Sequence, residues 1–283
     1  MELVSVIVPT KDSSRYLARC LDSIQRQTYE PIEIIVVDNR STDPTKEIAH
    51  RYTSLVFEWG PERSAQVNYG ARRANGEYVY KVDSDFVLEP EVVASCVAKA
   101  HAGCDAVVVH NSPDVTVSWI ARIRKFEVDM YKFDITHSSA RFVRRQVFES
   151  VGGFNEHITA GEDYDFQNRL DIAGYRTGFV SPEALHLGEP TSFWAHMIKY
   201  FRYGSDFVVY SNRNPGLARR QLRFFRPVYL RHWRSFLNHP LLGAAFAAYN
   251  VCKYAFGSAG FAVGTIRRRA TGGSSDATGT GGW

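Results

Sequence analysis

The sequence has little cysteine and no cysteine spacing that would build a site. Its four cysteines, Cys20, Cys96, Cys104 and Cys252, are scattered and form no C-x-x-C pair. This distribution argues against a disulfide framework or a zinc site and indicates a reducing compartment. The N-terminus has no charged leader before an apolar stretch, so it predicts a first strand rather than a signal peptide.

Acidic residues are scarce after residue 188. Residues 189–283 contain 13 lysines and arginines but 3 acidic residues, whereas residues 1–188 contain 21 basic and 27 acidic residues. The two parts therefore face different partners. A basic segment can meet nucleic acid, anionic lipid or an acidic substrate, and charge alone does not choose between them.

The rest of the composition is that of a globular protein. The 283 residues are 45% apolar, 13% aromatic and 23% charged, far from the values of disordered or collagen-like chains. This length suits one large domain, or a domain with an appendage, and it provides enough apolar residues for a core.

Short β-branched runs alternate with helical patterns in residues 1–110. Strands separated by helices predict an α/β fold with a parallel sheet and right-handed crossovers. Ligands of such sheets bind at the carboxyl ends of the strands, so the loops after Val8, Val37 and Val82 are the first candidate sites. The predicted strands are 4–8, 32–38, 54–58, 77–82, 105–109, 138–143 and 177–180, and the predicted helices are 14–27, 42–52, 63–75, 89–101, 119–131 and 162–173.

Two carboxylates directly follow the apolar strand that ends at Val82. The triplet Asp83-Ser84-Asp85 places them two positions apart on a bend, where both can hold one hard divalent cation, Mg²⁺ or Mn²⁺. That cation would bridge to the phosphates of a bound nucleotide. Such a triplet also occurs by chance as a solvated turn, but its place at the ligand-binding edge favours the metal site.

A second acidic cluster opens a predicted helix. Glu162 and Asp163 follow Gly161, and carboxylates at this position are stabilised by the unpaired N–H groups of a helix N-terminus. One interpretation is therefore an N-terminal cap. The other is a general base, with Gly161 leaving room for an acceptor to approach.

Other candidate residues stand alone in the sequence. His186 follows another strand-like segment, and it is either a structural histidine or a third metal ligand. Asp38 ends the second strand, where its carboxylate can accept a hydrogen bond from the N–H of a base. Arg63 and Lys81 could offset phosphate charge.

Taken together, these motifs resemble those of the GT-A glycosyltransferases of family 2. The resemblance spans about residues 3–188 and is carried by SVIVPTKD, VVDNRSTD, the strand followed by DSD, and GGFNE…GEDYDFQNRL…GYRTGFVSPEALH, in that order. It implies the GT-A fold, a Rossmann-like mixed sheet flanked by helices. It also implies a nucleotide-diphosphate-sugar donor and a single inverting displacement that depends on Mn²⁺ or Mg²⁺.

The resemblance also assigns roles to individual residues. Asp163 of the Glu162-Asp163 pair would be the base on the acceptor hydroxyl. Two residues depart from the family pattern, because Lys11 replaces a common aromatic residue and Asn39 replaces a second Asp. The nucleotide pocket would include Pro9, Thr10, Lys11, Asp38, Arg63, Lys81, Asp83 and Ser84, and the metal shell would include Asp83, Asp85 and His186.

The segment 189–269 is basic and aromatic, and it predicts a helical region that associates with an anionic membrane surface. Its apolar stretch 241–266 is long enough to span a bilayer, but Lys253 lies near its middle and both flanks are positive. We therefore expect a re-entrant or interfacial helical pair, closely packed through Gly257, Gly260 and Gly264. The alternatives are a helical cap on the catalytic domain, a dimer contact or an RNA-binding segment, and residues 270–283 are predicted to be disordered.

Membrane association predicts a lipid-linked acceptor. The expected enzyme is a glycosyltransferase at the cytoplasmic face of the cell membrane that extends a polyprenyl-linked saccharide, with no nucleic-acid partner. The alternatives are transfer to polyprenyl phosphate itself, and a non-catalytic scaffold that binds a nucleotide sugar.

Overall fold

Eight strands form one mixed sheet at the centre of the chain. The computed structural model describes residues 1–216, 218 and 226–270. The sheet order is β3-β2-β1-β4-β7-β6-β8-β5. The strands are β1 Val4–Thr10, β2 Ile32–Asp38, β3 Val56–Glu58, β4 Tyr78–Lys81, β5 Phe86–Leu88, β6 Ala106–Pro113, β7 Phe142–Arg144 and β8 Thr177–His186.

Helices cover both faces of the sheet and form the C-terminal region. The predicted helices are found, most of them shorter than predicted at one end or both. The helices are α1 Leu17–Gln25, α2 Thr45–Ala49, α3 Arg63–Ala71, α4 Val92–His101, α5 Trp119–Met130, α6 Arg145–Ser150, α7 Glu162–Ile172, α8 Phe193–Arg213, α9 Pro227–Arg231, α10 Trp233–Asn238 and α11 Pro240–Ala270.

The sheet is mixed, as the resemblance to the GT-A fold implies, and its first four strands are parallel, as the alternation of strands and helices predicts. Strands β1 to β4 run parallel, whereas β7 is antiparallel to β4 and β6, and β5 is antiparallel to β8. Strand β8 continues past the predicted end at residue 180 to His186, because it pairs with β6 on one side and β5 on the other.

The first strand shows why the sheet is buried on both faces. Every residue of β1 is buried, with Val6 and Val8 in the core on one face and Ile7 in the core on the other. Such a strand has no polar alternation, as expected when helices cover both sides. This core fixes the carboxyl ends of β1, β2 and β4 side by side.

The C-terminal helices pack on one another and on α5. Helices α8 and α11 are in backbone contact, since a Cβ on Gly204 would overlap the Gly257 carbonyl oxygen and one on Gly260 would overlap that of Phe201. The helical pair predicted within 241–266 is wrong, because these residues lie in the single helix α11; its glycines pack instead against α8, and the two helices form a cap on the sheet domain. Its shared apolar core comprises Ile120, Ile123, Met130, Tyr131, Met197, Val228, Phe246 and Tyr249.

In the part of the chain that the structure describes, no helix combines the length and apolarity needed to cross a membrane. Part of the basic aromatic segment singled out in the sequence, residues 219–225, lies outside the described residues, as does the tail after residue 270.

Candidate active site

Three of the predicted site segments meet at one edge of the sheet. Strands β1, β2 and β4 are parallel neighbours, and Thr10 is in register with Asp38. The Asp83 loop follows β4 at the same edge. Parallel strands place their carboxyl ends together, so the geometry predicted for a ligand site is present.

Asp38 lies inside this edge rather than on its surface. Its side chain is fully buried, and Oδ1 accepts hydrogen bonds from the hydroxyls of Thr10, at 2.8 Å, and Ser41, at 2.5 Å. Oδ2 accepts from the Ser41 backbone N–H at 2.7 Å. The carboxylate therefore holds the loop after β2 against β1, and its predicted contact with a base stays a prediction.

Asp83 is bound to two arginines. Its Oδ2 accepts from Nη1 of Arg141 at 2.8 Å, and its Oδ1 lies 3.7 Å from Nη1 of Arg63. Burial opposes ionisation of Asp83, but Arg141 and Arg63 outweigh it and hold the pKa of this carboxyl well below its usual range. Oδ1 is buried and makes no hydrogen bond within the described residues, so it has capacity for a ligand.

Asp163 lies in the first turn of α7 and is paired with a buried lysine. Lys81 Nζ donates to Asp163 Oδ1 at 2.7 Å, and Nη2 of Arg141 lies 3.8 Å from Oδ2. Burial raises the pKa of Asp163, but the attraction of Lys81 and Arg141 exceeds that effect and lowers the pKa to about 2. The carboxylate is ionised at physiological pH, and 28% of its side chain is exposed.

Gly161 and Glu162 set the start of α7. Gly161 has φ +93°, a left-handed backbone that favours glycine. The neighbouring Glu162 is buried and pairs with Arg63. Glu162 is thus used to fix Arg63, while Asp163 is the carboxylate that retains an exposed surface.

Asp85 and His186 meet at the other side of the Asp83 loop. His186 Nε2 lies 3.1 Å from Asp85 Oδ2, and His186 Nδ1 lies 2.5 Å from Oε1 of Glu189. The Glu189 side chain is fully buried, and its Oε2 accepts from Arg124 of α5 at 2.5 Å. Burial lowers the pKa of His186, but the hydrogen bonds to Asp85 and Glu189 raise it above its usual value.

Asp85 and His186 are thus two of the predicted metal ligands in contact with each other. The 3.1 Å between Asp85 Oδ2 and His186 Nε2 is a hydrogen-bond distance, and a carboxylate oxygen and an imidazole nitrogen are donor types that Mn²⁺ accepts. A Cβ on Gly188 would overlap the Asp85 carboxylate, so the glycine keeps the space open.

The third predicted metal ligand, Asp83, pairs with Arg141 and Arg63. Within residues 1–216, 218 and 226–270, no group of three or more His, Cys, Asp and Glu side chains is arranged to hold a metal ion. Two of the three predicted metal ligands, Asp85 and His186, are therefore brought together.

The remaining predicted residues surround this edge. Pro9 is buried in β1, and Lys11 is half-exposed and donates from Nζ to the Arg40 carbonyl at 2.8 Å. Ser84 donates from its hydroxyl to that of Ser13 at 2.9 Å. Their predicted contacts with a nucleotide stay predictions.

A cavity of about 660 Å³ opens beside Asp163. It lies between the sheet domain and the C-terminal helices α8 and α11. Its lining includes Arg63, Arg141 and Glu162 near Asp163, and Tyr254 and Phe261 of α11. A substrate that reaches Asp163 through this cavity therefore contacts both parts of the chain.

Sequence reasoning missed two residues of this site. Arg141 binds both Asp83 and Asp163, but a single arginine before a short strand carries no motif. Glu189 orients His186, and its one sequence signal is an acidic residue three positions after a candidate histidine ligand. Both interactions arise from tertiary packing.

The chain is similar to known glycosyltransferases. It is 33% identical to glycosyltransferase GlyG of Streptococcus pneumoniae serotype 4 over 117 residues, 39% of each chain, so the match spans under half of that relative. It is 25% identical to the O-antigen chain rhamnosyltransferase WbaN of Salmonella anatum over 245 residues, 77% of this chain and 75% of WbaN.

A solved structure extends the similarity of the fold to nearly the whole chain. The mannosyltransferase PcManGT of Pyrobaculum calidifontis, in complex with GDP-Man and Mn²⁺, superposes with a TM-score of 0.58 at 21% identity. The superposition covers 96% of this chain and 76% of PcManGT. The GT-A fold implied by the sequence motifs is confirmed.

The family assignment rests on the sheet domain. The model of glycosyl transferase family 2 matches residues 5–152, more than half of the chain. This range contains β1, β2, β4 and the Asp83 loop, the elements that form the site edge. The chain belongs to glycosyl transferase family 2.

Proposed function

We propose that this glycosyltransferase moves a sugar from a nucleotide-diphosphate-sugar to the hydroxyl of a lipid-linked saccharide, with inversion at the anomeric carbon. The observation that carries the proposal is Asp163, an ionised carboxylate at the start of α7 that lines the cavity beside the sheet edge. A carboxylate within hydrogen-bond reach of the acceptor hydroxyl is what such a displacement requires.

In this reaction the acceptor oxygen forms a bond to the anomeric carbon while the bond from that carbon to the diphosphate oxygen breaks. The hydroxyl proton goes to Asp163, and the nucleoside diphosphate leaves with the electron pair. Because attack and departure occur on opposite faces, one displacement inverts the centre. No covalent sugar–enzyme intermediate forms.

The low pKa of Asp163 sets the order of events. With a pKa of about 2, Asp163 is a weak base that accepts a hydrogen bond but does not ionise a free hydroxyl. The attacking oxygen becomes acidic once its bond to the anomeric carbon has largely formed. Proton transfer to Asp163 is therefore late, and the ionised carboxylate first orients the hydroxyl.

Mn²⁺ or Mg²⁺ would be held by Asp85 and His186, whose donor atoms lie 3.1 Å apart. When bound, the cation would neutralise the charge that develops on the leaving diphosphate. The Mn²⁺ and GDP-Man in the PcManGT complex support this proposal.

We assign the nucleotide pocket to the edge formed by Pro9, Thr10, Lys11, Asp38 and Ser84, with Arg63 beside the diphosphate. Asp38 contributes by holding the loop after β2, because both of its oxygens already accept hydrogen bonds from within the chain. Arg63, like Lys11, is a half-exposed cation and can meet phosphate oxygens.

The proposed site of action is the cytoplasmic membrane surface, to which the C-terminal helices would bind peripherally. Exposed apolar side chains recur at Leu230, Trp233, Leu237 and Leu241, next to exposed arginines. This pattern suits an interface of anionic headgroups. The O-antigen chain substrate in the name of WbaN supports a carrier-linked saccharide as acceptor.

A donor screen tests the function. Purified protein with Mn²⁺ or Mg²⁺ is incubated with UDP-, GDP- and dTDP-sugars, and release of nucleoside diphosphate is measured. We expect slow, metal-dependent hydrolysis of one donor that Asp163→Asn abolishes without loss of donor binding. Absence of both turnover and nucleotide binding by calorimetry would contradict the proposal.

A flotation assay tests the membrane proposal. We expect the protein to float with vesicles of phosphatidylglycerol and phosphatidylcholine but not with phosphatidylcholine alone. Leu237→Asp should weaken this binding because it places a charge at the interface, whereas the exposed Ile172→Asp on α7 should not. Equal flotation with both vesicle types would exclude an anionic surface as partner.

A further inference from the structure

The cavity beside Asp163 carries a second group of charged side chains. Arg226, just before α9, and Lys253 of α11 both line it. Asp163 lines the same cavity of about 660 Å³, so one ligand can contact both charged groups.

Charge is unevenly distributed over the walls of this cavity. Among its described lining residues, the acidic ones are Glu162 and Asp163, and these pair with Arg63 and Lys81. The carboxylate nearest the second group is Glu127 of α5, which lies outside the lining.

Glu127 contacts the second group from outside the lining. Its two oxygens accept from Lys253 Nζ at 2.7 and 2.8 Å, which fixes the ammonium. The Lys253 ammonium and the Arg226 guanidinium are the basic groups on this wall of the cavity.

Arg226 is held in place by tyrosine hydroxyls. Its Nη1 donates to the hydroxyl of Tyr131 at 2.6 Å, and its Nη2 donates to that of Tyr254 at 3.1 Å. Tyr131 donates in turn to Tyr229 at 2.9 Å. Such a fixed guanidinium is suited to binding phosphate, because little ordering is needed when the anion arrives.

His137 supplies an independent sign of a missing ligand. Its ring lines the cavity and stacks on Tyr131, with 4.6 Å between ring centroids. Its Nε2 is buried and has no hydrogen-bond partner within the described residues. A buried polar atom without a partner is costly, and a bound ligand would satisfy it.

Aromatic rings line the space between the two charged groups. Tyr164, Tyr203, Phe207 and Phe261 contribute walls from α7, α8 and α11. Pockets of this kind combine apolar walls with a few polar groups that fix the orientation of a ligand. The faces of sugar rings suit such walls.

We propose that this cavity binds a phosphorylated saccharide acceptor, with its phosphate on Arg226 and Lys253 and its reacting hydroxyl at Asp163. The proposal rests on the proposed function and names the chemistry of the acceptor. The phosphate can belong to a lipid carrier or to a soluble sugar phosphate, since both present the same anionic group.

A titration of the full chain tests this subsite. The imidazole resonance of His137, assigned with His137→Gln, is followed while inorganic phosphate, glucose 1-phosphate or glucose is added. We expect both phosphate compounds to shift the resonance and glucose to leave it unchanged at the same concentration. The absence of a shift with both phosphate compounds would overturn the proposal.

Two variants test whether Arg226 binds the phosphate. Arg226→Gln should weaken phosphate binding by about tenfold or more, as loss of a charge-assisted hydrogen bond predicts. Arg202→Gln, at an exposed position of α8, should bind phosphate like the wild type. Equal affinity in Arg226→Gln and wild type would overturn the proposal. If Arg226→Gln does not fold, Arg226→Lys takes its place, because it keeps the charge and loses the planar fork.

Two further measurements distinguish a lipid-carrier phosphate from a soluble sugar phosphate, and acceptor binding from donor binding. Tighter binding of dodecyl phosphate in dodecyl maltoside micelles than of glucose 1-phosphate would support a lipid carrier, and the reverse order would support a soluble sugar phosphate. Binding of UDP and GDP with Mn²⁺ is measured in the same variants. If the wild type binds neither nucleotide, the donor assignment fails whatever the phosphate result, whereas lost phosphate binding with retained nucleotide binding assigns Arg226 to the acceptor.

Discussion

The buried ammonium of Lys81 lies 2.7 Å from Oδ1 of Asp163, so the proposed base is ion-paired before any substrate arrives. The Lys81 side chain is only 2% exposed. Lys81→Met removes this cation and should raise the pKa of Asp163. The acid limb of the kcat/KM profile should then move to higher pH by about one unit or more.

The acid limb should move to higher pH because the pKa of Asp163 is lowered in the wild type. A carboxyl with a lowered pKa is ionised above that pKa, so wild-type Asp163 stays ionised down to about pH 2. Lys46→Met is the matched control, because Lys46 pairs with Glu58 on the surface, 3.4 Å away. An unshifted acid limb in Lys81→Met would show that Asp163 does not determine it.

Glu189 should control metal affinity without touching the metal. Glu189→Gln weakens the hydrogen bond that fixes the His186 imidazole, and loss of such outer partners costs about 10- to 100-fold in metal affinity. Mn²⁺ binding is measured by electron paramagnetic resonance in the presence of a nucleoside diphosphate. The control is Glu183→Gln. Glu183 lies in β8 and pairs with Lys132, and this variant should bind Mn²⁺ like the wild type. Wild-type affinity in Glu189→Gln would contradict the orienting role.

Breaking the ion pair between Glu127 and Lys253 should destabilise the protein. Lys253→Met leaves a buried carboxylate without its cation, which costs about 3–5 kcal/mol of unfolding free energy. The double variant Glu127→Gln/Lys253→Met should recover much of this loss. Urea unfolding measures both, and a single variant as stable as the wild type would contradict burial of the pair.

The contact between α8 and α11 should not tolerate a methyl group. Gly204→Ala places a Cβ against the Gly257 carbonyl oxygen, and such overpacking costs about 1–3 kcal/mol. Gly216→Ala meets nothing within 4 Å and serves as the control. Thermal unfolding compares the two variants. If Gly204→Ala is as stable as Gly216→Ala, the two backbones are not in contact.

The elements of the sheet domain could be predicted because their signals are local. Strand β2 is an apolar run of the length expected for a buried parallel strand, and the start of α7 carries its glycine and two carboxylates in sequence. The family motifs lie at the ends of these elements. Their order along the chain was therefore enough to predict the fold and the site edge.

The connections within the site could not be predicted, because they join distant parts of the chain. Arg141 reaches Asp83 from 58 positions away, and Lys253 reaches Glu127 from 126 positions away. The pairing of β5 with β8 is likewise set by packing and not by periodicity. For the same reason the sequence suggested a helical pair within 241–266, where the structure has one helix that packs on α8 and α5.

Helix α5 presents Arg124, Glu127 and, just past its end, Tyr131 at helical spacing. Arg124 holds the glutamate that orients His186, while the other two bind the C-terminal region at Lys253 and Arg226. A chain cut at residue 188 would lose all of these partners and expose the apolar face of α5 to water. The C-terminal helices therefore support the same helix that holds Glu189, so a change in how they dock on α5 would alter the orientation of His186.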